Sequence, residues 1–344
     1  MNRRVWLSRL ALVAALGLDL TFRTGPLGEL VPPPDPFRAA FAAQDAHTED
    51  LLRLPGVVGT AIGMGALGQP VLKVYVEAAG VALLPRSFGR VPVVETVTGR
   101  FVSLVEEPSP DAPANPRGHF PRPVPIGVSS GQPDVTAGTI GARVLDGTRV
   151  FALSNNHVFA NSNDAAIGDN VLQPGRADGG TDPDDAFGTL YDFEPIQHCG
   201  RGPFPCPENR IDAALALTSA DRLDRSTPPG GYGTPRTEPL DAKLGMRVQK
   251  FGRTTGHTHG VIDGIRATLT VGYPRGQARF VDQIVISGGG FSAPGDSGSL
   301  VVSEGQGAQD RRPVALVFAG SQLASIANPI DVVLDRFGVT IDGN

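Results

Sequence analysis

Apolar residues in this chain come in short runs broken by glycine, proline and small polar residues, with one helical stretch near the front. Residues 37–54 carry apolar side chains at helical spacing and predict an amphipathic helix. Residues 56–63, 71–76 and 91–97 are apolar runs of strand length, and 84–88 read as a short helix. Together they predict a small α+β unit over 37–106. A linker over 107–123 follows, proline-rich and exposed, with Pro108, Pro110, Pro113 and Pro116 closely spaced. From 124 to 344 the runs are again short. Val150-Phe151-Ala152-Leu153 predicts a buried strand, entered through the hairpin turn Leu145-Asp146-Gly147-Thr148. Ala213-Ala214-Leu215-Ala216-Leu217 predicts another. The pattern is that of a mainly β protein.

Composition agrees. The 344 residues include 44 glycines and 31 prolines with 6% aromatics, which suits many strands and turns better than long helices. The length allows two domains and a sizeable core. A net charge of −5 without a basic patch implies no nucleic-acid partner. Residues 1–36 read as a leader segment. Arg3 and Arg4 form a basic start, and residues 10–18 form an apolar run too short to span a membrane. Arg9 and Asp19 interrupt the pattern, leaving a weak amphipathic helix or a misassigned start as alternatives; export is the favoured reading. Cys199 and Cys206 bracket a Gly/Pro-rich loop and predict a local disulfide in an oxidising compartment. With His198 they could offer metal ligands, but a fourth is missing.

The candidate chemistry centres on Gly295-Asp296-Ser297-Gly298. The two glycines let the backbone turn tightly around Ser297, which leaves a hydroxyl exposed beside N–H groups that can meet an oxyanion. Alone, Asp-Ser-Gly is also ordinary turn chemistry. A nucleophile needs a base and an orienting acid. His157 lies just past the strand at 150–153, and Asp212 stands at the mouth of the strand at 213–217. Asp178, Asp182, Asp184 and Asp185 sit among Gly and Pro and read as solvated loop. His257 and His259 would share one face of a strand, with no carboxylate or cysteine near in sequence.

The ordered blocks around His157, Asp212 and Ser297 resemble those of the chymotrypsin-like serine proteases. Leu153-Ser154-Asn155-Asn156-His157-Val158, Ile211-Asp212-Ala213-Ala214-Leu215 and Gly295-Asp296-Ser297-Gly298-Ser299 carry the likeness. Lys250-Phe251-Gly252-Arg253-Thr254-Thr255-Gly256 and Pro294 before the serine block resemble the bacterial α-lytic and streptogrisin-type enzymes. The arrangement also looks like the narrow-leaf-type trypsin-like proteins of plants and bacteria, over residues 124–338. The resemblance implies two six-stranded antiparallel β-barrels and a serine endopeptidase that needs no metal or organic cofactor. Ser297 would be the nucleophile, His157 the base and Asp212 its orienting acid. The N–H groups of Gly295 and Ser297 would form the oxyanion hole. Two departures stand out. Asparagines replace the usual alanines before His157, and Lys250 replaces an arginine that in relatives pairs with the aspartate before the nucleophile. Lys250 would then pair with Asp296, a new N-terminus being the alternative partner. Phe291, Ser292, Phe318, Ala319 and Gly320 would form the primary pocket; Phe291 brings no charge, which argues against cleavage after basic residues. The 37–106 unit stands where relatives carry a prosegment that aids folding and inhibits; a permanent accessory domain is the alternative. A protease-fold binding or scaffolding protein, or an esterase using the same triad, remains the competing function.

Overall fold

The computed structural model describes residues 35–81, 83–104, 115–200 and 205–344. Residues 1–34 of the leader and 107–114 of the linker lie outside them. Helix α1 (Pro36–Leu52) starts where Asp35 accepts a hydrogen bond from the Phe37 N–H and Pro36 sets the first turn. Its buried residues Ala40, Ala43, Gln44, Thr48 and Leu51 recur at helical spacing. The chain continues through β1 (Val57–Met64), β2 (Pro70–Val76), β3 (Ser87–Phe88), β4 (Val91–Val97) and β5 (Phe101–Ser103). The short helix expected over 84–88 is absent: Ser87 and Phe88 pair with β4 instead, because edge pairing satisfies their backbone where a single helical turn would not.

Next come β6 (Ser129–Ser130), β7 (Gly138–Thr139), β8 (Ala142–Leu145), β9 (Val150–Ser154), helix α2 (Asn156–Phe159), β10 (Asn170–Leu172), β11 (Ala186–Phe193), β12 (Glu208–Asn209) and β13 (Ala214–Thr218). The C-terminal part holds β14 (Arg247–Gly252), β15 (Gly256–Tyr273), β16 (Gly276–Ser287), β17 (Leu300–Ser303), β18 (Pro313–Gly320), β19 (Ala324–Pro329), helix α3 (Ile330–Phe337) and β20 (Thr340–Ile341).

The fold is mainly β. One sheet has six strands in the order β10-β11-β13-β9-β8-β20, so the C-terminus returns to the first half of the chain. In a second, larger sheet, β14, β15, β16, β19, β18 and β17 pair in turn, and β17 pairs back to β14, a closed antiparallel ring. The core of the first sheet also takes in Leu300, Val302 and Leu316 from the ring. The two sheets therefore meet along one apolar seam.

The N-terminal unit is not set apart. β1 pairs antiparallel with β15, so β1, β2 and β4 prolong the sheet that contains the ring. Neighbouring residues of β1 face opposite cores: Ala61 joins the cluster with Phe280 and Phe318, and Ile62 joins the one under α1. This explains why β1 is buried along nearly its whole length. Gln44 donates to the Arg266 carbonyl at 2.8 Å, and Asp45 and Glu49 meet Arg266 and Arg279 on the β15–β16 hairpin.

Candidate active site

His157 sits on the single turn of α2, directly after β9, and is 3% exposed. Asp212 lies two residues before β13, whose register with β9 places Ala214 opposite Ser154. That pairing brings the histidine and the aspartate to the same end of the sheet. His157 Nδ1 is 2.6 Å from Asp212 Oδ2, and the His157 backbone N–H donates to Oδ1 at 3.2 Å. The carboxylate is fully buried. Further groups hold Asp212. The Tyr273 hydroxyl donates to Oδ2 at 2.8 Å, and the Asp212 N–H donates to Asn328 Oδ1 at 3.0 Å. Burial, reinforced by the adjacent carboxylate, holds Tyr273 well above the usual phenol range, so it remains a donor. Asn328 in turn donates to Gln283, which donates to the Arg210 carbonyl.

The paired asparagines have work here. Asn155 Nδ2 donates to the Asp212 carbonyl at 2.6 Å. Asn156 Nδ2 donates to Asn163 Oδ1 and to the Glu194 carbonyl, and its Oδ1 accepts from the Asn163 N–H. Alanines could make none of these bonds.

Ser297 follows β16 in the ring and precedes β17. Its turn is packed against the histidine strand: Gly298 has φ +92°, and a Cβ there would lie 2.2 Å from Ser154 Oγ and 2.3 Å from the Thr139 carbonyl. Ser297 Oγ donates to the carbonyls of Phe318 at 3.3 Å and Leu104 at 3.4 Å. Among the described residues His157 Nε2 is buried without a hydrogen-bond partner. The histidine and aspartate are thus joined, while the serine hydroxyl is engaged elsewhere.

Lys250 and Asp296 are both fully buried, with Nζ 3.5 Å from Oδ2. Burial draws the Lys250 pKa down against the pull of Asp296. Lys250 also donates to Thr255 Oγ1 at 2.5 Å. Asp296 accepts from the N–H groups of Ala293, Thr254 and Thr255 and from the Thr255 hydroxyl. The carboxylate that shapes the serine turn is therefore held mostly by backbone amides. Gly252 makes room for it, since a Cβ there would lie 2.5 Å from Asp296 Oδ1. Arg253 reaches away to form a two-bond fork with Asp178 at 2.5 and 2.7 Å. Asp178 is therefore not a solvated loop residue: desolvation raises its pKa and pulls that of Arg253 down to about 10, and the fork offsets that cost.

A cavity of about 680 Å³ opens beside the serine turn, lined in part by Leu104, Gly290, Ser292, Ala293, Pro294 and Gly320. Of the residues expected to form the pocket, Ser292 and Gly320 line it. Phe291 is 1% exposed within the apolar cluster that also holds Leu104. The side chains of Phe318 and Ala319 do not line the cavity. A register shift between Val317 and Ala319 accompanies the placing of both in the neighbouring core, where Phe318 packs on Phe280 with ring centroids 4.7 Å apart. Ser292 is turned to Ser325, hydroxyl to hydroxyl at 2.6 Å.

Cys199 and Cys206 are disulfide-bonded. His257 and His259 lie side by side, ring centroids 4.7 Å apart, with His257 bonded to Gln249 and His259 near Glu304. Among the described residues no cluster of metal-ligating side chains is present. No helix there is long and apolar enough to cross a membrane.

Leu104, Tyr273, Asn328 and Gln283 carry no signal in the sequence. Each reaches the site across a long chain separation and belongs to none of the recognisable blocks.

Residues 236–326 match the family described as the Nal1 C-terminal domain. The protein NARROW LEAF 1 of Oryza sativa subsp. japonica is 32% identical over 85 residues, which covers 24% of this chain and 14% of that protein. The match thus spans a small part of that relative's length. Among solved structures, Thermobifida fusca Protease A is similar with a TM-score of 0.44 at 19% identity, covering 64% of this chain and 100% of that one. A Cellulomonas bogoriensis chymotrypsin is similar with a TM-score of 0.43 at 18% identity, covering 64% and 99%.

Proposed function

We propose that this protein is a serine endopeptidase acting through Ser297, His157 and Asp212 and an acyl-enzyme intermediate. The observation that carries the proposal is the buried Asp212 carboxylate. It accepts His157 Nδ1 and the His157 N–H together. That fixes the tautomer that leaves Nε2 free to take a proton, and it stabilises the imidazolium that results. Ser297 attacks a peptide carbonyl, His157 takes its proton and passes it to the leaving amine, and the N–H groups of Gly295 and Ser297 stabilise the oxyanion. Lys250 and the amides around Asp296 hold the turn that presents them. The disulfide accords with an exported protein, which we include in the proposal.

The competing reading is a binding or scaffolding protein. It is favoured by the Ser297 hydroxyl bonding to two carbonyls rather than to His157. A fluorophosphonate probe separates the two. Full-length wild type, Ser297→Ala and Leu104→Asp are treated with it and mapped by mass spectrometry. The expected adduct is on Ser297, and it forms faster in Leu104→Asp, where a charge drives residue 104 out of an apolar site. No adduct on Ser297 in either folded serine-bearing chain overturns the proposal.

A further inference from the structure

The chain's own residues lie in the cleft. β5 is inserted between two strands of the ring: Ser103 and Val102 pair antiparallel with Ala319 and Gly320 of β18, and Phe101 and Val102 pair parallel with Val271 and Gly272 of β15. Both edges of the inserted strand are thus satisfied, as in recognition by strand addition. The strand runs directly to the serine turn. The Leu104 carbonyl accepts the Gly295 N–H at 2.8 Å and the Ser297 hydroxyl at 3.4 Å. A carbonyl that meets both an oxyanion-hole donor and the nucleophile is in the position of the bond to be cut.

Side chains fit the same register. Leu104 is 3% exposed and belongs to the apolar cluster of Phe291, Ile286 and Val317. Its Cδ2 lies 3.5 Å from where a Cβ on Gly320 would stand, and it lines the cavity beside Ser292. The charged side chains lining that cavity, Glu77 and Arg100, pair with each other at 2.8 Å. Ser103 is buried, Val102 faces outward at 46% exposure, and Phe101 fills the cluster that contains Phe280 and Phe318.

We infer that Phe101-Val102-Ser103-Leu104 is a cognate substrate sequence of this site, that the protein cleaves its own chain after Leu104, and that it prefers leucine or a similar branched apolar residue before the cut. The inference rests on the endopeptidase reading above. Ser297 Oγ turns from the two carbonyls to His157 Nε2, loses its proton there and bonds to the Leu104 carbonyl carbon. The bond to the Val105 nitrogen breaks as that nitrogen takes the proton from His157. Water, losing a proton to His157, attacks the resulting ester. The ester bond breaks, Ser297 recovers its proton, and the products are a Leu104 carboxylate and a Val105 amine. No co-reactant beyond water is required.

The test uses the full-length chain. Purified wild type, Ser297→Ala and Leu104→Asp are incubated and analysed by intact mass and amino-terminal sequencing. Separately, peptides ending in Phe-Val-Ser-Leu, Phe-Val-Ser-Arg or Phe-Val-Ser-Asp before a fluorogenic amine are assayed with wild type. Wild type is expected to give a fragment beginning at Val105, and Ser297→Ala to stay intact. Leu104→Asp is expected to lose that cut while still labelling with fluorophosphonate. The leucine peptide is expected to exceed the arginine and aspartate peptides by at least about a hundredfold in kcat/KM. A chain that labels at Ser297 but is not cut after Leu104, or that favours a charged residue before the cut, overturns the inference and leaves the endopeptidase reading standing. A chain that never labels at Ser297 overturns both.

Discussion

Asp212 shows how much a single carboxylate depends on its neighbours. Its Oδ2 accepts both His157 Nδ1 and the Tyr273 hydroxyl, so the phenol shares the electron density that would otherwise serve the imidazole alone. In the proposed endopeptidase, Tyr273 is a positioning residue that acts through Asp212. A hydrogen bond to a charged group is worth about 1.5–3 kcal/mol. Tyr273→Phe is therefore expected to lower kcat by roughly tenfold or more on a leucine peptide. KM should stay close to the wild-type value, because the hydroxyl acts through Asp212, and a purely structural tyrosine would lower the melting temperature without that split between kcat and KM.

Among elements, the turn between β16 and β17 carries the tightest constraint. Gly298 has φ +92° and faces Ser154 Oγ and the Thr139 carbonyl at distances no Cβ tolerates. Gly298→Ala would add left-handed strain of about 1–3 kcal/mol before any clash is counted. The expected result is a lower urea midpoint together with loss of Ser297 labelling, since Ser297 moves with the turn. An unchanged midpoint would mean that the turn is looser than described. Much of this element was legible beforehand. The Gly-Asp-Ser-Gly block marked a tight turn, and the apolar runs marked β9, β13 and the strands of the front unit. Where the side chains of Phe318 and Ala319 go was not legible, because the register shift in β18, which no residue pattern announced, goes with both lying in the neighbouring core. The helix expected at 84–88 failed for a related reason. Its local apolar pattern is helix-compatible, and an unpaired edge of β4 was available to take the backbone instead.

At the scale of the whole molecule, the N-terminal unit is joined to the ring both by strand pairing and by charge. Asp45 meets Arg266, and Glu49 meets Arg279, across α1 and the β15–β16 hairpin. The Arg279 guanidinium bonded to Glu49 holds its carboxyl below the usual carboxylate range. A depressed folded-state pKa means the unfolded state binds more protons in acid. The contribution is therefore complete above the ordinary value near 4.5 and fades as pH falls below it through the folded value. Thermal midpoints recorded from pH 6 to pH 3 should decline less steeply in Glu49→Gln than in wild type. Added salt should narrow the difference, because the glutamate is more than half exposed.

By itself the sequence determined the mainly β character, the turn around Ser297, and the strands that deliver His157 and Asp212, because each of these depends on local spacing, glycine placement and runs of apolar residues. Only the tertiary structure decided what those groups meet. It joined His157 to Asp212, brought Tyr273 to the same carboxylate and Asn328 to the Asp212 backbone N–H, and laid Leu104 between the Gly295 amide and the Ser297 hydroxyl. These contacts link residues far apart in the chain through the pairing of β5 with β15 and β18 and the closure of the ring. Such long-range register is set by the packing of whole sheets, and no local pattern of residues encodes it.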